Sequence, residues 1–148
     1  MELSLPNNSV INKKKIYIAD DDSDFLDLIE KIFTSNGAEV SKFQNGKALL
    51  NRANQVKPHA ILLDVNMPVL NGFDTIRQLK QQETTQQIPV LFISGAIDDF
   101  NVFTAFEFGA IDYIKKPFGT KELISRVSTA ITIAHNIELL VSKQKELV

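Results

Sequence analysis

Cysteine is absent from the 148 residues, which excludes disulfides, cysteine-ligated zinc and thiol nucleophiles. That absence suits a reducing compartment. No apolar run approaches the roughly 18 residues of a membrane span. The opening MELSLPNNSVINKKK has no basic segment leading into an apolar stretch, so it does not read as a secretory signal. Neither charge sign dominates: a net charge of −2 at pH 7 gives no general attraction to nucleic acid or anionic membranes. No internal repeat or low-complexity segment is present. What the chain does have is a hydrophobic content of 44%, ordinary for a globular protein, in a length that suits one domain. The expectation is a soluble, cytoplasmic domain that binds neither nucleic acid nor membrane directly.

Residues 1–13 are polar, contain Pro6 and Asn7-Asn8, and show no periodicity; they read as a flexible arm. Lys13, Lys14 and Lys15 read as a solvated strand entry. Apolar runs then alternate with amphipathic ones. KIYIA (15–19), AEVSKF (38–43), HAILLD (59–64), IPVLFIS (88–94) and IDYIK (111–115) read as strands. From Ser23, expected as the cap, Phe25, Leu28, Ile29, Ile32 and Phe33 fall on one helical face that Gly37 closes. Further helices are expected over 46–56, after Asn71-Gly72, over about 98–108 and from Thr120 onward. Such alternation predicts an α/β fold with a five-stranded parallel sheet covered by helices on both faces, a doubly wound (βα)5 arrangement. In these sheets ligands bind beyond the carboxyl ends of the strands.

The first strand ends in an unusual density of acid, DDDSD at 20–24. Such a cluster is either solvated or shares a cation. Reading only the strand ends collects Asp20 and Asp21, Asp64, Ser94, and Lys116-Pro117 on one rim. The stretches IADDDSDF, ILLDVNMPVLNGFD, FISGA and YIKKPF, in that order, resemble the receiver domain of response regulators, over roughly residues 14–130. The resemblance implies the flavodoxin-like form of the fold and a phosphoacceptor role in two-component phosphorelay, with Asp64 as acceptor and a histidine kinase or histidine phosphotransfer protein as donor. It also implies Mg²⁺, held by Asp21, Asp64 and the backbone carbonyl of Asn66, with Asp20 acting through water. Lys116 and Ser94 would contact phosphoryl oxygens, and Ser94 with Tyr113 would form the switch. The family's output face, made by the fourth helix, fifth strand and fifth helix, would carry the change. A cis peptide bond is expected before Pro117.

These roles have physical sense. A carboxylate can attack phosphorus and form an acyl phosphate, and three adjacent carboxylates need a counter-ion to stay ionised. A hard divalent ion prefers such oxygen ligands. Asp22 and Asp24 are expected to favour the helix N-terminus, and Asp98, Asp99 and Asp112 to be solvated. Of Phe100, Phe103, Phe106 and Phe108, most are expected in the core, with Phe106 on a partner or homodimer surface. Asn66 and Ala96 resemble positions that tune dephosphorylation. The last helix is longer than the fold needs. Leu123, Val127, Ala130, Ala134, Ile137 and Val141 keep a 3-4 spacing, so 131–148 reads as an extension, either a coiled coil that could also pair copies or a linker. His59 and His135 are expected to be structural and surface residues. Two other functions are weaker: Asp20-x-Asp22 is similar to the first motif of haloacid-dehalogenase-like phosphatases, but Asp24 stands where that family needs Thr or Val. A phosphorylation-independent interaction domain would not need the complete set of rim residues. The expectation is therefore a signalling domain rather than an enzyme.

Overall fold

The computed structural model describes residues 10–95 and 99–146, the side chains of 99–101 excepted. The expectations for residues 1–9, Ala96 and Asp98, and for the side chains of Asp99 and Phe100, lie outside these described residues. Strands and helices alternate along the chain: β1 (Lys15–Ala19), α1 (Ser23–Thr34), β2 (Glu39–Phe43), α2 (Gly46–Gln55), β3 (Ala60–Leu63), α3 (Gly72–Gln81), β4 (Val90–Ser94), α4 (Asp99–Glu107), β5 (Asp112–Lys115) and α5 (Thr120–Glu146). The strands form one sheet in the order β2-β1-β3-β4-β5, and every pairing is parallel. The five-stranded parallel sheet expected from the alternation, in the flavodoxin-like form that the resemblance implies, is the one found.

Two apolar cores lie on opposite faces of this sheet. Ile16 and Ile18 of β1 join residues of α1 and α5 in one. Tyr17 and Ala19 join residues of α2, α3 and α4 in the other. Alternate strand residues thus serve opposite faces, and burial on both sides explains why β3 and β4 read as unbroken apolar runs. Ile11, within the stretch expected to be an arm, is fully buried with the first core, and the Lys13 N–H donates to the Gly37 carbonyl at 2.8 Å.

Local chemistry sets the helix starts. Asp22, not Ser23, caps α1: its Oδ1 accepts from the N–H groups of Asp24 and Phe25 at 3.0 and 3.2 Å. Ser23 is already the first helical residue, and an aspartate satisfies the orphan donors as well as serine does. Asn45 and Asn71 cap α2 and α3 in the same way. Gly37, at φ 87°, turns the chain after α1 in a conformation that a side chain would disfavour.

Candidate functional site at the carboxyl rim of the sheet

β1 and β3 are hydrogen-bonded neighbours at the centre of the sheet, so their carboxyl ends open side by side. The Asp64 N–H donates to the Ala19 carbonyl at 2.9 Å, which locks the first residue after β3 beside the acidic run after β1. As a result, carboxylate oxygens of Asp20, Asp21 and Asp64 lie within 4.8 Å of one another. Among the described residues these three form the one acidic or histidine group able to hold a metal ion. Its donors are all hard oxygens, which fit Mg²⁺ better than a soft or imidazole-seeking metal.

The three acids sit in different surroundings. Asp20 is 1% exposed, and each of its oxygens has a partner. Its Oδ1 accepts from the Asp22 N–H at 2.9 Å, and its Oδ2 lies 3.0 Å from the Lys116 ammonium. Asp21 is exposed and Asp64 partly buried. Asp64 Oδ1 accepts from the Val65 N–H at 2.9 Å. Burial first, and then the neighbouring Asp20 charge, push the Asp64 carboxyl up to about 6; Lys116 and the Val65 N–H oppose that rise. A carboxylate crowded by like charge in this way gains from a cation.

Lys116 arrives from the far side of the sheet. Its N–H donates to the Ser94 carbonyl at 3.0 Å, continuing the β4–β5 pairing past Lys115, and the Lys116–Pro117 peptide bond is cis. Ser94 ends β4 and is buried. Tyr113 lies in β5, buried, with its ring centroid 6.1 Å from that of Phe92. Asn66 is exposed in the β3–α3 loop. Fold topology therefore gathers Asp20, Asp21, Asp64, Ser94 and Lys116 at one end of the sheet.

Other expected residues are distributed differently. Asp112 is not simply solvated: both its carboxylate oxygens lie 2.9 Å from Arg126 Nη1 of α5. Of the aromatics in and just after α4, Phe108 packs against the second core, whereas Phe103 and Phe106 are exposed. Phe103 departs from the expected core placement because only the inner edge of a surface helix meets the sheet, while the exposure of Phe106 is what a surface position requires. His59 accepts from the Lys15 N–H at Nδ1, 3.0 Å away, and burial followed by the nearby lysines lowers its pKa. His59 and His135 both line a cleft of about 610 Å³ whose floor includes Pro58, Pro89 and Ile131, at the opposite end of the sheet from the acids.

Phe25 and Gly72 are the site residues that sequence reasoning did not single out. The Lys116 ammonium lies 3.8 Å from the centroid of the Phe25 ring. A Cβ on Gly72 would collide with the Asp64 carbonyl oxygen and stand 2.7 Å from Phe92 Cε1. Phe25 carried the same apolar signal as the rest of the α1 core face, and Gly72 that of an ordinary turn.

Comparison with known proteins agrees with this geometry. The family model of the response regulator receiver domain matches residues 16–128. The response regulator protein TodT of Pseudomonas putida is 38% identical over 80% of this chain, which spans 52% of TodT. The chain thus covers about half the length of the curated relatives it matches. Among solved structures, the receiver domain of a Francisella response regulator is 30% identical, with a TM-score of 0.75 over 81% of this chain and 98% of that one. The receiver domain of a Pseudomonas aeruginosa sensor histidine kinase, solved with a magnesium ion in its active-site cleft, is 25% identical, with a TM-score of 0.76 over 81% of this chain and 98% of that one.

Proposed function

This chain belongs to the response regulator receiver family, the phosphoacceptor domains of two-component signalling, and from that premise we propose that Asp64 accepts a phosphoryl group in a Mg²⁺-dependent reaction. The observation that carries the reading is the convergence of Asp20, Asp21 and Asp64 within 4.8 Å, with the Lys116 ammonium 3.0 Å from Asp20.

The donor is a phosphohistidine on a histidine kinase or phosphotransfer protein. An Asp64 carboxylate oxygen attacks phosphorus, and a new P–O bond forms as the P–N bond breaks. The bond pair leaves with the imidazole nitrogen, which takes a proton from solvent. Asp21, Asp64 and the Asn66 carbonyl would hold the Mg²⁺, and Asp20 would act through water. When bound, the ion supplies neutralisation of phosphoryl charge in a reaction dominated by positioning and electrostatics. Lys116 neutralises another phosphoryl oxygen and Ser94 donates to a third. Movement of Ser94 lets Tyr113 change its packing, and the α4–β5–α5 face shifts its population between two arrangements. Phe106, exposed on α4, suits a partner or homodimer contact on that face.

Incubation with Mg²⁺ and acetyl phosphate, which transfers its phosphoryl group with release of acetate, followed by mass mapping, tests the acceptor. Label should appear at Asp64 and vanish in Asp64→Asn. Phosphoester turnover through a phosphoenzyme at Asp20 would replace this reading with a phosphatase. Failure to bind Mg²⁺ or phosphoryl would leave an interaction domain.

A further inference from the structure

Lys116 has two anchors, and only one is a carboxylate. Its ammonium lies 3.0 Å from Asp20 Oδ2 and 3.8 Å from the centroid of the Phe25 ring. Phe25 is fixed from several sides. Its N–H donates to Asp22 Oδ1 at 3.2 Å, and its side chain packs against the α1–α5 core. Its ring also meets Phe118, two residues beyond Lys116, edge-on at 6.1 Å and 87°. A residue whose backbone is held by a helix cap and whose ring is held by a core and an aromatic neighbour offers a rigid surface for a long, flexible lysine.

From this arrangement we propose that Phe25 is a positioning residue for phosphoryl transfer: its ring face keeps the Lys116 ammonium at the acidic rim while leaving its N–H donors free to be shared. This rests on Asp64 being the phosphoacceptor. A ring attracts an ammonium through its quadrupole but offers no oxygen to compete for N–H donors. A second carboxylate in its place would bind the ammonium more tightly and add charge repelling the incoming phosphoryl. The ring lets the ammonium turn from Asp20 toward a phosphoryl oxygen with attraction maintained along the way. Asp22 gains a role through this geometry, since its cap sets the start of α1 and hence the height of Phe25.

The test compares Asp64 phosphorylation by acetyl phosphate at saturating Mg²⁺ in Phe25→Leu, Phe25→Tyr and a Lys116→Ala background. Phe25→Leu should slow labelling by about three- to tenfold, the range expected for losing one cation–π contact. Phe25→Tyr, which keeps the ring, should restore most of the rate. In Lys116→Ala, adding Phe25→Leu should cost nothing more, because the partner is gone. A merely structural Phe25 would slow the double variant further, and that result would overturn the proposal. So would a Phe25→Leu variant as fast as the parent. If the parent itself takes no label at Asp64, the phosphoacceptor reading falls and this inference falls with it.

Discussion

Asp64 is the residue whose protonation most directly governs the site. Its carboxyl is raised from an ordinary value of 3.8 to about 6, by burial first and by the charge of Asp20 next. The metal-free native state therefore binds this proton more tightly than the unfolded chain. Its contribution to stability is neutral below about pH 4, falls as pH rises between 4 and 6, and stays unfavourable above. Asp64→Asn should therefore raise Tm in metal-free buffer at pH 8, with the difference vanishing near pH 4 in matched thermal melts. Saturating Mg²⁺ should narrow or invert the order, since the ion gains most from the aspartate. The same proton competes with the cation. Mg²⁺ affinity, read by fluorescence or calorimetric titration, should fall about tenfold per unit below pH 6 and flatten above it. A flat affinity from pH 4.5 to 7 would mean that Asp64 is not a ligand. This residue could be picked out in the sequence because it ends an apolar strand. Its crowding could not, because that depends on β1 and β3 being neighbours.

At the scale of elements, strands and helices were legible because burial on both faces makes continuous apolar runs, while α1, α2 and α3 each keep an apolar face toward the sheet. Contacts between elements were not, and the β3–α3 loop shows why. Pro68 and Asn71-Gly72 mark a turn in any sequence, but here the loop is bound on several sides. The Gly72 N–H donates to the Val65 carbonyl at 2.9 Å, and the Leu70 carbonyl accepts from the Gly46 N–H at 3.3 Å. Val69 takes φ 69°, and the Leu70 N–H closes onto the Pro68 carbonyl at 2.7 Å, a tight γ-turn that β-branched residues rarely adopt. Gly72 is needed for close approach, since a methyl group there would press on the Asp64 backbone and on Phe92. Gly72→Ala should destabilise the domain by about 1–3 kcal/mol, as overpacking does, and slow Asp64 labelling beyond what that loss explains. Urea melts and labelling rates on one preparation would check both. A variant that loses stability but labels at the parent rate would confine Gly72 to packing.

At the scale of the whole molecule, the sheet has a direction and α5 runs back along it. The acids cluster where the strands end, whereas Lys57, just before β3, stands 3.8 Å from Glu138 on α5. The helix of 27 residues therefore passes the domain and leaves at the end opposite the site. Leu123, Val127 and Ala130 of the 3-4 pattern are buried in the domain, so they cannot also form a seam with a second chain. Beyond Ile131, Ile133 is 41% exposed, Ile137 44%, Leu140 64% and Val141 42%, along roughly 12 Å of helix at 1.5 Å per residue. A short apolar stripe of this kind suits a weak, concentration-dependent parallel pairing of two copies. Sedimentation should show mass rising with protein concentration, and Ile137→Lys with Val141→Lys should suppress that rise while leaving Tm within a few degrees. Val127→Ala should do the reverse, lowering Tm with association unchanged, because its side chain belongs to the domain core. If the double lysine variant associates as the parent does, the contact lies elsewhere. The α4–β5–α5 face is then the surface to probe, and Phe106→Glu should abolish pairing there.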